Sequence, residues 1–391
     1  MTKASEIDRA AHELNAAILQ YDAMSDEKSR AAVKNARATF ETLVNRTSAG
    51  RAREGANLER SRPRVSEPMG ARSTQLEASV SLHMASIATS MVHVWARHGQ
   101  PLVTVQVKNL RTKIARVTVR CHVEGYSATA VKTIEIDSQG TGTYQVFPTF
   151  FPERIRTLTE SVVASLHVEV IDLDGKTETV QSHPIALLPP TTAVLFQRDA
   201  ASGEYADLTR YLAAWVTPNA PIVQSTLRAS ADFAPSKMLL GQQSGVGPGD
   251  IRSQVGAIYN ALKAAAIVYI NSPLAYGGSA TQIIQRVRLP RESLENRAAN
   301  CLDGTVLMAS LLEAVALPAA IVLVPGHAYL AFKPKPEADE WEYVETTMIG
   351  SEPFERACEQ GKQVTAKWKA ADQLHLVDIS QVRDGGIMPM E

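Results

Sequence analysis

The sequence predicts a multidomain α+β protein, and three patterns predict it. Apolar residues recur at helical spacing over residues 3–45. Short runs between 100 and 190 alternate apolar and polar residues. Helical periodicity then returns after about 195, with a strand pair embedded in it. The 391 residues suit two or three domains of about 100–200 residues each. The boundaries expected are a helical hairpin or coiled-coil arm over 1–45, a flexible Arg-rich linker over 46–75, an immunoglobulin-like β-sandwich over 76–192 and a mixed helix–strand domain over 193–391.

In the arm, Ile7, Ala11, Leu14, Ile18 and Tyr21 step by four and three. After the N-cap signal Ser25-Asp26, Val33, Ala36, Phe40 and Leu43 repeat the stripe. So narrow a seam is covered by the other helix, by the body of the protein or by a second chain, so self-association through the arm is one expectation. Arg46, Arg51, Arg53, Arg60, Arg62, Arg64 and Arg72 then sit among Gly, Ser and Pro with few large apolar residues, the composition of a solvated tether. Glu54, Glu59 and Glu67 interrupt the charge and no aromatic residue stands among them, which disfavours nucleic acid as a partner.

Residues 79–96 contain no Asp, Glu, Lys or Arg, but their Ser, Thr and His content rules out a membrane span. Alternation at Val80, Leu82 and Met84, and again at Val92 and Val94, predicts buried strands. Val103, Val105 and Val107 alternate next. So do Val117, Val119 and Cys121, then Ile134 and Ile136, then Val146, then Leu166, Val168 and Val170, closed by a turn at 172–175. Short strands so spaced suggest a sandwich. Beyond them, helices are expected over Asp207–Trp215, Ile222–Ala231 and Ile251–Val268, the last with Val255, Ile258, Leu262 and Ala265 facing a core. The loop at 245–249 is rich in Gly but lacks the Gly-Lys-Ser/Thr of a phosphate loop, and reads as a surface turn.

Composition narrows the chemistry. Lys and Arg number 40 against 41 Asp and Glu, so net charge gives no drive toward nucleic acid or acidic lipid. Three scattered cysteines, Cys121, Cys301 and Cys358, make neither a disulfide framework nor a four-cysteine zinc site; no metal and no cofactor is expected. The opening residues lack the apolar core of a secretory signal, so a cytoplasmic chain with reduced thiols is expected. One of those thiols then has reason to be present for its reactivity.

Cys301 follows Asn300 and precedes a helix marked by Met308, Leu311, Leu312 and Val315 that ends at Leu317-Pro318. At a helix N-terminus, backbone N–H groups and the helix dipole favour a thiolate. Asp303 in the first turn opposes that charge, and a cationic partner is needed to offset it. Arg286 and Arg288, alternating on an apparent strand, read as members of structural ion pairs. Further on, Ile321–Val324 reads as a buried strand. After Pro325-Gly326 the residues 327–332 alternate, with His327, Tyr329 and Ala331 on one face. A charged loop, Lys333–Asp339, leads to a strand over Trp341–Thr346 that puts Trp341, Tyr343 and Glu345 on one face. A hairpin around that loop sets Phe332 opposite Glu340 and His327 opposite Glu345. A carboxylate beside an imidazole orients the ring and keeps it basic, and Cys301, brought up by its helix, completes a Cys–His–Glu relay. Trp341 and Tyr343 line the same face, as packing or as the wall of a substrate groove. Cys121, Cys358 and His375 read as structural.

The order of these parts resembles the transglutaminase-like superfamily of the papain-like fold, whose members carry a Cys at a helix N-terminus, a His-Ala pair and Asp-Pro-Thr after a Trp-containing strand. Here those positions are Cys301, His327-Ala328 and Glu345-Thr346-Thr347, with Glu in place of Asp and no Pro after it. Bacterial transglutaminase-like cysteine peptidases are similar in further runs: Cys-Leu-Asp-Gly at 301–304, Pro-Gly-His-Ala at 325–328, Val-Glu-Thr-Thr at 344–347, Trp-Val-Thr-Pro-Asn at 215–219 and Gln-Arg-Val-Arg-Leu-Pro at 285–290. The resemblance covers roughly 195–350, touches the sandwich loosely and leaves out the arm. It implies a catalytic domain acting on a peptide or protein amide, with Cys301 as nucleophile, His327 as base and Glu345 as its orienting acid. Water resolving the thioester makes a peptidase or amidase; an amine resolving it makes a protein-crosslinking transamidase. A catalytically silent scaffold is the third alternative. The Cys301 N–H is one expected oxyanion donor, and Gln285 is favoured as the second over Asn300 or Tyr276.

Overall fold

The computed structural model describes residues 75–97, 99–173, 177–198, 205–235, 237–242, 247–271, 282–335 and 339–390. The chain divides into two units, Met1–Ala71 and Arg72–Glu391. The first holds the expected arm and nearly all of the Arg-rich linker, and lies outside the described residues. What is described is a mixed α+β fold with several sheets.

Alternation becomes strands from the first described residues onward. β1 (Leu76–Leu82) and β2 (Ser86–Ala88) come first, then a 3-10 turn and α1 (Val92–Arg97). The strand expected at Val92 and Val94 is therefore a helix. Val94 and Trp95 of the helix and Met91 of the preceding 3-10 turn are buried, an i, i+3, i+4 set that the two-residue alternation of the valines hides. β3 (Val103–Asn109), β4 (Ala115–Val123), β5 (Ala130–Ile136), β6 (Thr141–Val146), the short α2 (Pro152–Ile155), β7 (Val162–Asp172) and β8 (Thr177–Leu188) follow. They form two sheets, of order β1-β3-β6 and β2-β8-β7-β4-β5. Because strand side chains alternate faces, Val103, Val105 and Val107 of one sheet and Val117, Val119, Cys121, Leu166, Val168 and Val170 of the other all join one buried core. Cys121 is part of that core, and burial pushes its thiol up to about 12.

The change to helix expected near 195 comes later, because β9 (Thr192–Arg198) and β10 (Tyr205–Asp207) continue the strands. A 3-10 stretch, Thr209–Trp215, precedes α3 (Pro221–Ser230) and α4 (Pro248–Ala264). Val255, Ile258 and Leu262 are buried along α4 as their spacing requires, whereas Ala265 caps its end and is exposed. Next come β11 (Val268–Tyr269), β12 (Gln282–Arg286), α5 (Pro290–Asn296), β13 (Ala298–Ala299) and α6 (Cys301–Ala314). The chain ends with β14 (Ala319–Val324), β15 (His327–Phe332), β16 (Glu342–Val344), α7 (Phe354–Ala370), β17 (His375–Asp378) and α8 (Ile379–Asp384). β12 pairs with β9 at the edge opposite β10, β11 runs parallel to β13, and the last four strands form a sheet of order β16-β15-β14-β17.

That last sheet positions the chemistry. On one face, Ala328, Leu330 and Phe332 join the large core together with Val306, Leu307 and Met308 of α6. Every residue of α6 from Leu302 to Leu312 is buried, so the helix is enclosed on all sides rather than amphipathic. On the other face, Val322, Tyr329 and Ala331 pack with Trp341, Tyr343, Val364 and Trp368 in a smaller core beneath α7. The approach of α7 needs Gly361: a Cβ there would stand 2.9 Å from the Tyr343 carbonyl carbon. Among the described residues, no helix is long and apolar enough to cross a membrane.

Candidate active site

Cys301 is the first residue of α6, delivered there by the β11–β13 pair, in which Val268 lies opposite Ala298 and Tyr269 opposite Ala299. Asn300 caps the helix. Its side-chain oxygen accepts the Asp303 N–H at 2.8 Å, and the Asp303 carboxylate accepts the Asn300 N–H at 3.1 Å, a reciprocal capping box. Asp303 also accepts the Arg288 N–H at 2.7 Å and its guanidinium at 2.9 Å. Burial pushes the Asp303 carboxyl up, and the Arg288 and Asn300 donors pull it back. Arg288 is thus the cation that offsets the first-turn carboxylate, and Asp303 serves the helix cap. The Cys301 carbonyl accepts the hydroxyls of Thr305 (2.7 Å) and Thr346 (3.2 Å), which stand 3.1 Å apart. The Cys301 side chain itself is half-buried.

His327 opens β15 after a tight turn through Pro325 and Gly326. Gly326 sits at φ +74°, the left-handed value that the third residue of a type II turn requires. Val324 pairs with His327 across that turn. The ring Nε2 lies 2.7 Å from Glu345 Oε2, and the Cys301 side chain is near enough to raise the ring's pKa. With Nε2 engaged by the carboxylate, Nδ1 is the nitrogen left for the thiol.

The His327–Glu345 contact is made in a different register from the one expected. Phe332 lies opposite Glu342, and Leu330 opposite Val344, two residues away from the expected pairing. β16 stops at Val344, and Glu345 opens a 3-10 turn over Thr346–Met348. An even offset keeps every side chain on its face, so the Glu345 carboxylate crosses diagonally to the ring. Glu345 is 4% exposed. Its Oε1 accepts the Thr347 N–H at 3.1 Å and the Thr347 hydroxyl at 2.7 Å, and its own N–H donates to the Ala357 carbonyl at 3.0 Å. Burial of the imidazole opposes its charged form. The hydrogen bond to Glu345 and the interaction with Cys301, with the charge on those groups, outweigh burial and raise the ring to about 10.

The remaining expected residues are placed elsewhere. Gln285 lies in β12 opposite Ala193, and its amide donates back to the Arg286 carbonyl at 3.2 Å. Tyr276 lies outside the described residues, and the Asn300 oxygen is spent on the cap. Trp341 and Tyr343 pack in the core beneath α7. Tyr343 is separated from His327 by Tyr329, whose ring stands 6.2 Å from Tyr343 and 5.9 Å from His327. Cys358 is buried in α7, which pushes its thiol up to about 12 against the pull of Arg252. Sequence reading passed over two residues. Thr347 fixes the carboxylate, and the clue was a Thr two residues after an acid at a strand end, the spacing of a side-chain-to-backbone turn. Tyr269 lies beside the nucleophile's approach. Burial pushes its phenol up, and the charges of Cys301 and Glu345 add to that. Among the described residues, no group of three or more His, Cys, Asp or Glu is arranged to hold a metal ion.

No protein-family model and no curated protein matches this chain. Among solved structures the chain is similar to a FixG-related protein from Vibrio parahaemolyticus, at 11% identity and a TM-score of 0.20, over 29% of this chain and 96% of that one. It is also similar to red sea bream transglutaminase, at 10% identity and a TM-score of 0.18, over 64% of this chain and 48% of that one. The chain thus spans about half the length of that transglutaminase. Scores so low carry no weight for fold or activity, and the case for the site rests on its geometry.

Proposed function

We propose that the protein is a cysteine hydrolase, a peptidase or amidase of the transglutaminase-like kind, acting on a peptide or protein amide. In this reading residues 76–192 are an immunoglobulin-like β-sandwich and 193–391 a transglutaminase-like catalytic domain. One observation carries it: an imidazole has its Nε2 2.7 Å from a buried carboxylate and is raised by that carboxylate together with a cysteine at the first position of an enclosed helix. That is the ordering of nucleophile, base and orienting acid that acyl transfer needs.

The steps follow from the residues. The Cys301 sulfur, its proton passed to His327, attacks the amide carbonyl. The Cys301 N–H, a first-turn donor with no acceptor within its own helix, faces the developing oxyanion. The His327 imidazolium gives its proton to the departing amine as the C–N bond breaks, leaving a thioester on Cys301. Neutral His327 then takes a proton from water, hydroxide adds to the thioester carbonyl, and the carboxylic acid leaves as the thiol is restored. Glu345 holds the ring throughout and stabilises its charged form, and Thr347 holds Glu345. A reduced Cys301 is required, which suits the cytoplasm.

p-Nitrophenyl acetate tests the assignment. Acetylation confined to the peptide bearing Cys301, lost in Cys301→Ser and His327→Ala, is the expected mass-spectrometric result; acetylation spread over other residues refutes it. Adding a primary amine separates the fates of the acyl group. Acetate as the main product supports the hydrolase, and transfer to the amine selects a transamidase instead.

A further inference from the structure

The helix that carries the nucleophile and the turn that follows the acid are joined at a buried point. The Cys301 carbonyl accepts the Thr305 hydroxyl at 2.7 Å and the Thr346 hydroxyl at 3.2 Å, and the two hydroxyls stand 3.1 Å apart. Thr305 and Thr346 are both buried. They differ in where they come from. Thr305 lies one turn along α6 from Cys301, so its hydroxyl bonds back within its own helix. Thr346 belongs to the 3-10 turn that Glu345 caps, so its hydroxyl links two elements whose bonded residues are 45 positions apart. Gly304 makes room for this approach. A Cβ there would stand 3.3 Å from the Thr346 Cβ and 3.4 Å from its Oγ1. Thr346 also stands where an Asp-Pro-Thr run would place its proline, a residue with no side-chain donor.

We propose that Thr346 is a positioning residue: its hydroxyl fixes the Cys301 main chain against the turn that carries Glu345, and so sets the reach from the thiol to the imidazole. The inference rests on the Cys301 reading and goes beyond it, to a residue that acts through others. The path is short. Glu345 Oε2 holds His327 Nε2 at 2.7 Å. Thr346 is covalently next to Glu345, and its hydroxyl ends on the residue that carries the sulfur. Base and nucleophile are thereby tied to one turn. The Cys301 side chain leaves from the Cα beside the bonded carbonyl, so a shift of that carbonyl carries the sulfur with it. Misplacement of reacting groups by about 1 Å can cost about a hundredfold in rate. One hydroxyl of ordinary strength therefore has leverage on the reaction through geometry.

The test measures the rate of Cys301 acetylation by p-nitrophenyl acetate in the full chain. Thr346→Val keeps the shape of the side chain and loses the hydroxyl. Its rate is expected to fall about fivefold, the worth of one neutral hydrogen bond, and Thr346→Ser is expected to restore it. Thr305→Val removes a donor from the same carbonyl without cutting the link between elements, and is expected to cost less than Thr346→Val. NMR titration of His327 separates positioning from a general loss of stability. Cys301 is one of the groups that raise the ring, so the midpoint is expected to move toward acid in Thr346→Val and to return in Thr346→Ser. If Thr346→Val does not fold, Gly304→Ala decides: it keeps both hydroxyls, pushes Thr346 away and is favoured by helix propensity. A slowed Gly304→Ala supports the proposal, and one at the wild-type rate overturns it. Thr346→Val reacting at the wild-type rate, or slowed with an unmoved His327 titration, overturns the positioning role and leaves the nucleophile standing. Acetylation of the wild type that bypasses Cys301 overturns the catalytic reading instead.

Discussion

Replacing Glu345 with Gln removes one charge and leaves the shape of the site. Glu345 Oε2 lies 2.7 Å from His327 Nε2, and its Oε1 is held by the N–H and hydroxyl of Thr347. A glutamine carbonyl accepts both Thr347 donors equally well, which turns its NH2 group toward the ring. A donor then faces Nε2, so the neutral ring presents a lone pair there and carries its hydrogen on Nδ1, toward Cys301. The ring also loses a hydrogen bond to a charged acceptor. Such bonds contribute about 1.5–3 kcal/mol, and one pKa unit corresponds to about 1.36 kcal/mol. The imidazole is therefore expected to fall by about one to two units from its value of about 10. NMR titration of selectively labelled histidine reads this directly, with His327→Gln assigning the signal. A ring that titrates unchanged in Glu345→Gln refutes the claim that the carboxylate sustains the imidazolium.

Other consequences are equally open to measurement. His327 titrates higher folded than unfolded, so its ionisation stabilises the fold fully below the unfolded value of about 6.5 and ceases to do so as pH rises through about 10. The gap in urea midpoint between the wild type and His327→Gln should accordingly be widest in acid and close in alkali, and a pH-independent gap contradicts this. Asp303→Leu leaves the Arg288 guanidinium, 14% exposed, without its carboxylate. That kind of loss costs about 3–5 kcal/mol by chemical denaturation, and a cost under about 1 kcal/mol, the scale of an exposed pair, shows the pair to be dispensable. Gly361→Ala should destabilise by about 1–3 kcal/mol through overpacking, because the new Cβ meets the Tyr343 main chain at 2.9 Å. A stabilised variant means that helix propensity, about 1 kcal/mol in favour of Ala, has won instead.

How much of this was legible in the sequence depended on the distance over which each feature is encoded. Periodicity is local, and it located the strands carrying Val103, Val117 and Leu166 as well as β14 and β15. The hairpin register depended on where β16 stops, which follows from the 3-10 turn at Thr346 rather than from any pattern within the strand. The two-residue error was harmless to the His327–Glu345 pair because it was even; an odd slip would have turned Glu345 to the opposite face. The Val92–Val94 error arose where two periodicities share the same residues and only burial of Met91 and Trp95 separates them. Gln285 is expected as the second oxyanion donor, and β12, which carries it, pairs with β9, a partner that no local pattern announces. Tyr269 went unnoticed for the same reason, since the parallel pairing of β11 with β13 joins segments that no spacing rule connects.

The central claim is that Cys301 is the thiol activated by His327 and Glu345, and iodoacetamide alkylation near pH 6 tests it most directly. The rate at each cysteine is read by peptide mass spectrometry in the wild type and in His327→Ala. Burial holds the thiols of Cys121 and Cys358 near 12, so both should be slow at that pH. The expected result is selective labelling of Cys301, falling to the level of Cys121 and Cys358 when the imidazole is removed. Cys301 reacting no faster than Cys358, or keeping its rate in His327→Ala, contradicts the account.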